Sequence, residues 1–312
     1  MASERGYLVV RPRSGLCNRL RVLFSAELAA ERLHRHLLVD WEGDEECGAG
    51  LDDLVTHRFH RPSRTLTRVL RRLPTTDDVR YPTPLLSRVE SQEVVDRGGR
   101  PSVWLDWVQG LAGVTLLPEL SARVVEVDYA LGDRPRIGAQ IRTHGDAHTR
   151  SKDKSPLEWY VRRIDELLTA FPHTIVFASC DTEEASSVLD ATFGTQVVVL
   201  PGKSAYGSKG GVQDALCDLH LLGSCQYLLT SAGSSMGMTA RVMQPWLACE
   251  NATDHVGLHA ADALTHGVTK AQRAALLAGQ WRPEPDHFAR LQNAIDSTTE
   301  WLEQARSRPG AW

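Results

Sequence analysis

Arg142 closes an apolar run, "RIGAQIR", and opens the loop "THGDAHTRSKDKS", which also carries His144, Asp146, His148, Arg150, Lys152 and Lys154. A planar guanidinium at a strand end is a natural clamp for a diphosphate, because its fork meets two oxygens at once. A solvated loop is the plainer alternative. His144 and His148 raise the thought of a metal, but they sit in a loop without a paired motif. A second basic turn, "RPRSGLCNRLR", follows the first apolar run and holds Gly15, Asn18 and Arg19. It has one glycine where a dinucleotide fingerprint has three. Gly15 is therefore expected to supply a tight turn, and Asn18 and Arg19 to supply side-chain contacts.

Three further loops are polar in ways that matter. "PGKSAYGSKGG" resembles a Walker A loop, yet Val197 stands where that motif requires a glycine, five residues before Gly202. A Gly-rich, lysine-bearing loop near a nucleotide remains an option. "GSSMG" fits G-x-S-x-G, with Ser235 in the place of a hydrolase nucleophile. That reading needs an acid and a histidine downstream, such as Asp254 with His259 or His266, and leaves the arginine loops unexplained. "DWEGDEE" offers Asp40, Glu42 and Asp44 as bases for an acceptor hydroxyl, or simply a solvated acidic loop. It lacks the D-x-D of a metal-bound nucleotide sugar.

The elements that must position these loops alternate along the chain. "GYLVVR" reads as a strand, a helix starts around Asn18 with Leu20, Leu23, Phe24 and Leu28 on one face, and "RHLLVDW" reads as the next strand. Residues 43–101 are irregular, "PSVWLDW" (101–107) is strand-like, and 117–131 reads as a helix. "GDRPR" (132–136) is a plausible hinge. Strands are then expected at 136–142, 174–180, 196–201 and 226–232. Helices are expected at 155–172 (capped by Ser155, with Pro156 first), 181–194 (capped by Asp181, stopped by Gly194), 210–225, after Gly233, and at 285–307. Strand–helix alternation predicts parallel sheets. The fold class is α/β, two Rossmann-like parallel-sheet domains, residues 1–133 and 134–312, facing across a cleft. Ligands in such sheets lie beyond the carboxyl ends of the strands, where all these loops fall.

Composition narrows the classes. Net charge is −4, so a bulk basic field for nucleic acid is absent. No apolar run reaches membrane-spanning length, and "MASERGYLVV" is not a signal peptide. The six cysteines form no C-x-x-C pair, which predicts buried free thiols in a reducing, cytoplasmic setting rather than a disulfide framework or zinc site. Trp41, Trp104 and Trp107 are expected to fill the core rather than to line an acceptor site.

Taken together, the loops resemble the GT-B fucosyltransferases that include the bacterial nodulation α-1,6-fucosyltransferase and the eukaryotic core α-1,6- and protein O-fucosyltransferases. The resemblance rests on Gly15-Leu16-Cys17-Asn18-Arg19-Leu20, on Asp40-Trp41, on Arg142-Thr143 with Asp146, on "FASCD", and on Asp218 followed by Ser234-Ser235. It spans roughly residues 7–50 and 135–245. Gln140 stands in place of the family's histidine and Thr143 in place of its second arginine. The resemblance implies a GT-B-like fold and a metal-independent, inverting glycosyltransferase with no cofactor. Its donor would be a GDP-sugar or similar nucleotide sugar, and its acceptor a small molecule, natural product or oligosaccharide. It further implies that Arg142 meets the diphosphate and that Ser234 and Ser235 hold phosphate oxygens. Asp181 or Asp218 would bind the base or ribose, and Asn18 and Arg19 would approach from the other half.

Overall fold

In a computed structural model the described residues are 7–32, 34–70, 85–86, 115–144, 153–243 and 248–253. The expected strand at 101–107, with Trp104 and Trp107, and the helix at 285–307 lie outside them. Strand β1 (Tyr7–Val10) leads into α1 (Leu16–Arg32) and β2 (His36–Val39). The short β3 (Val55–Thr56), α2 (Arg64–Leu70), β4 (Leu85–Leu86) and β5 (Thr115–Leu116) follow. Next come α3 (Pro118–Leu131), β6 (Arg136–Ile141), α4 (Leu157–Ala170), β7 (Ile175–Cys180), α5 (Glu183–Phe193) and β8 (Val197–Val199). The described chain closes with α6 (Lys209–Gly223), β9 (Tyr227–Leu229), α7 (Ser235–Met243) and β10 (Ala248–Glu250).

Two parallel sheets result. One has the order β2-β1-β4 and the other β10-β9-β6-β7-β8; β3 and β5 form a small antiparallel pair. β10 is a strand the sequence pattern did not reveal, because three residues are too few to show periodicity. In each parallel sheet the order reverses beside the first strand: after β2 the chain returns on the other side of β1, and after β8 on the other side of β6. The ends of β1 and of β6 with β9 are therefore topological switch points, where a crevice opens.

The larger sheet is buried on both faces, which explains why every residue of β6 and β7 is buried. α4 and α5 cover one face with Tyr160, Ile164, Leu167 and Leu189. α3 and α6 cover the other. There one continuous apolar cluster joins Leu216 and Phe177 to Leu120 and Val124 of α3, and to Leu20, Leu23 and Trp41 of the first sheet. At about 1.5–3 kcal/mol for each fully buried large side chain, this shared cluster is the main force joining the sheets. Polar ties add to it: Lys209 pairs with Asp53, Gln213 donates to the Asp53 carbonyl, and the Gly48 amide donates to the Gly207 carbonyl.

Several local expectations change. α1 starts at Leu16, ahead of Asn18. Ser155 does not cap α4; its hydroxyl accepts from the Ala232 amide, and Pro156 occupies the cap position in extended conformation. Asp181 does not cap α5. Thr182 does, accepting from the Ala185 amide. Gly194 stops that helix with φ +53°, as expected. The stretch read as a hinge is held firmly, since buried Arg136 pairs with Asp128 and donates to the Gly132 carbonyl and the Ser224 hydroxyl.

His220 lies buried in α6, and its Nδ1 has no partner among the described residues. Burial alone pushes the imidazole down to about 4 from its ordinary 6.5. The depressed folded value means this contribution is full above pH 6.5 and is lost as pH falls toward 4. His220→Leu is expected to remove an acid destabilisation on the order of 2–3 kcal/mol, at about 1.4 kcal/mol per pH unit. Urea midpoints at pH 7, 5.5 and 4.5 measure it, and an unchanged pH slope in the variant refutes it.

Candidate active site

The turn after β1 is built around Ser14, not Gly15. Ser14 takes the left-handed backbone, φ +71°, while Gly15 does not. Arg19 supports this turn. Its guanidinium is 1% exposed, its Nε donates to the Ser14 carbonyl at 2.6 Å, and its Nη1 donates to the Glu42 carbonyl at 2.9 Å. Nη2 pairs with Asp44 at 2.5 Å, and the plane lies 5.8 Å from the centre of the Trp41 ring. Partial burial pushes the Asp44 carboxyl up, but the Arg19 hydrogen bond and charge outweigh it and hold it below the usual range. Arg19 was expected to touch a ligand; in the structure its donors are engaged within the protein, joining two loops. Gly15 has no steric reason to be glycine, because a side chain there would meet nothing within 4 Å. The space over the first turn of α1, beside half-buried Asn18, is open.

The second switch point lies at the ends of β6 and β9. Arg142 follows β6, and its amide donates to the Ser231 hydroxyl beyond β9. Ser231 is fixed in turn by Tyr160 and Gln140: Tyr160 Oη is 2.8 Å from Ser231 Oγ and donates to the Gln140 carbonyl, while Gln140 Oε1 accepts from the Ser231 amide. Burial pushes the Tyr160 phenol well above its ordinary range, so it remains a donor. Gln140, 1% exposed, thus welds the ends of β6 and β9. α1 packs on α7 and α6. The Cys17 thiol, pushed up to about 11 by burial, lies within electrostatic reach of Arg142 and hydrogen-bonds Thr239 of α7. Cys17 thus ties the first turn of α1 to α7, within electrostatic reach of Arg142.

Three carboxylate or hydroxyl groups on this edge are incompletely satisfied. Asp181 Oδ1 accepts from the Thr143 amide, the Thr143 hydroxyl and the His144 amide. Its Oδ2 is buried with no partner among the described residues, and so is Ser234 Oγ. Asp218 Oδ2 accepts from Lys203 at 2.5 Å and Ser179 at 2.6 Å, whereas its buried Oδ1 has no such partner. Burial pushes the Asp218 carboxyl up against the pull of Lys203. Buried polar atoms are nearly always hydrogen-bonded, so these oxygens are candidates for contact with a polar ligand. The lysine loop is used differently from expectation: Lys203 holds Asp218 and the Cys180 carbonyl, and Lys209 holds Asp53. Tyr206 of that loop stacks on His144 at 4.7 Å, a pairing invisible in the sequence.

Beyond β2 a cavity of about 690 Å³ is lined by Asp40, Trp41, Glu42, Arg61, Arg64 and Arg68, among others. Asp40 is buried and accepts from Arg11 at 2.7 Å; Glu42 is exposed. The arginines were missed, although their spacing of three and four residues in "RPSRTLTR" marks one face of a helix. Trp41 is buried, as core residues are, and also reaches the cavity wall. Asp146 lies outside the described residues, as do Asp254, His259 and His266. Ser235 begins α7, and no histidine or carboxylate touches its hydroxyl among the described residues. Among those residues no three His, Cys, Asp or Glu side chains gather to hold a metal ion. No helix among them is long and apolar enough to cross a membrane.

No protein-family model and no curated protein matches the chain. Solved structures of fucosyltransferases share the α/β fold of this chain. NodZ α-1,6-fucosyltransferase soaked with GDP-fucose superposes with TM-score 0.51 at 18% identity, over 78% of this chain and 94% of that one. A mutant of Arabidopsis thaliana FUT1 in complex with GDP gives 0.55 at 16% identity, over 80% and 71%. POFUT1 in complex with GDP gives 0.54 at 10% identity, over 80% and 98%. At such identities the likeness is one of fold.

Arg19→Met is expected to destabilise the chain by about 3 kcal/mol, since two carbonyls and a carboxylate lose charge-assisted donors from a buried guanidinium. Arg19→Lys should recover less than half of that, because a single ammonium cannot meet all three acceptors. Urea unfolding measures both; a full rescue by lysine rules out the clamp.

Proposed function

We propose that the chain is a glycosyltransferase that moves a sugar, fucose or a relative, from a GDP-sugar or similar nucleotide sugar to an acceptor hydroxyl. The reaction inverts the anomeric carbon and needs no metal and no cofactor. The observation that carries this reading is that Cys17, in the first turn of α1 beside the open space at Gly15, hydrogen-bonds α7 and lies within electrostatic reach of Arg142. The fold likeness to fucosyltransferases, among them structures holding GDP or GDP-fucose, supports it. Residues 1–133 and 134–312 then act as two Rossmann-like halves of GT-B type, acceptor side and donor side.

The chemistry follows from charge. As the bond between the anomeric carbon and the diphosphate oxygen breaks, its electron pair leaves with the diphosphate, which gains negative charge. Arg142 favours that charge more in the transition state than in the ground state, which is what accelerates rather than merely binds. Free amides at the start of α1 and of α7, with Ser234 and Ser235, receive phosphate oxygens. The open oxygens of Asp181 and Asp218 accept from base N–H groups or ribose hydroxyls. The acceptor oxygen bonds to the anomeric carbon from the face opposite the leaving group, and its proton passes to a carboxylate. Glu42 fits that role better than Asp40, whose carboxylate is buried against Arg11. Gln140 and Thr143 bind neighbouring strands and loops rather than extend a cationic surface, which leaves the donor's base and sugar open to choice. Five buried free thiols and a sixth half-buried suit a reducing, cytoplasmic setting.

Two variants test this with a thermal-shift panel of GDP, UDP, ADP and dTDP and their sugars. A binding diphosphate at a hundredfold over its Kd should stabilise by about 2.7 kcal/mol. Arg142→Ala should weaken that binding by about 1.5–3 kcal/mol. No shift with any nucleotide, or labelling of Ser235 by a fluorophosphonate probe, overturns the proposal. Binding without sugar transfer or nucleoside diphosphate release would leave a nucleotide-sugar-binding protein instead.

Gly15→Asp separates fold from function in opposite directions. Aspartate at a helix cap is at least as good as glycine, so stability should hold or rise by about 0.5 kcal/mol. Diphosphate binding should fall at least tenfold, because a carboxylate fills the open space. Unchanged binding in calorimetry removes the turn from the site.

A further inference from the structure

We infer that the cavity beyond β2 takes an acceptor that carries an anionic group, a sugar acid or a sugar phosphate; this rests on the glycosyltransferase reading. Charge pairing within the cavity is uneven. Asp40 is taken by Arg11, and Arg61 by Asp52 at 2.7 Å. Arg61 also donates to the Trp41 carbonyl. Arg64 and Arg68, one turn apart on α2, have no carboxylate partner among the described residues. Two like charges at this spacing oppose each other and lower helix stability. Thr67 lines the cavity with them, so one face of α2 presents two guanidinium groups and a hydroxyl to the same space. The wall from β2 contributes Glu42.

The cavity is thus lined by unmatched cations from α2 and by a carboxylate from the loop after β2. An anion held by Arg64 and Arg68 is oriented by their planar donors. A hydroxyl elsewhere on the same molecule is then free to face the carboxylate wall. A neutral sugar would leave both cations unmatched, and a cationic one would be repelled by them. The volume, about 690 Å³, lies within the range of small-molecule pockets. The lysines and Arg142 of the donor edge take no part, so the two anion sites are independent.

Calorimetry on the full chain with saturating GDP tests this, with glucose 6-phosphate, glucuronate, glucose and glucosamine as probes. One or both anionic probes should bind at least tenfold tighter than glucose, and which of the two does so distinguishes phosphate from carboxylate. The joint substitution Arg64→Glu and Arg68→Glu should abolish that preference, and Arg64→Gln with Arg68→Gln should reduce it at least fivefold. GDP affinity should stay unchanged in both, which shows that the variants fold and that the donor site is separate. Equal binding of glucose, preference for glucosamine, no binding of any probe, or full anion binding by the variants overturns the inference. Loss of GDP binding by the unaltered chain would instead refute the glycosyltransferase reading.

Discussion

The buried guanidinium of Arg19 is the interaction on which the site depends most. A charge 1% exposed is tolerable only because two carbonyls, a carboxylate and an aromatic face surround it. Those partners belong to two loops, the turn at Ser14 and the segment after β2. Binding the Ser14 carbonyl sustains a left-handed backbone at a residue with a side chain, which is otherwise disfavoured. Binding the Glu42 carbonyl and Asp44 sets the wall of the cavity. One side chain thereby holds both the open turn before α1 and the loop that carries Glu42 to the cavity.

The other half is organised by neutral hydrogen bonds rather than by buried charge. Gln140, Tyr160 and Ser231 form a closed group between β6 and β9, and Arg142 leaves that group through its own amide. This fixes the backbone from which the Arg142 guanidinium extends. The orphaned oxygens of Asp181, Asp218 and Ser234 lie on the same edge. Order in the scaffold and incompleteness at its rim together form a preorganised polar site.

Much of the fold was legible because its signals are local. The strands at β6, β7 and β9 are continuous apolar runs, and α4 shows Tyr160, Ile164, Leu167 and Leu168 at helical spacing. Cap residues were harder. Ser155 and Asp181 look like caps in the sequence, but distant partners, the Ala232 amide and the Thr143–His144 amides, hold them instead. β10 is too short to signal itself. The arginines of α2 had the right spacing but gave no hint of the cavity they would line.

The amino-acid order by itself determined the alternation of strands and helices, and with it the edge on which the chemical loops must fall. It also placed Arg142, Asp181 and Ser234 on that edge, since loop position follows from periodicity and chain direction, whereas Asp218 reaches it from inside α6 through its contacts with Ser179 and Lys203. Only the tertiary structure decided which polar groups remain available. Arg19, Lys203 and Lys209 look in the sequence like cations open to a ligand, yet packing brings Asp44, Asp218 and Asp53 against them. The physical reason is that a charge's partner is chosen by contacts between residues far apart in the chain, which no local pattern encodes.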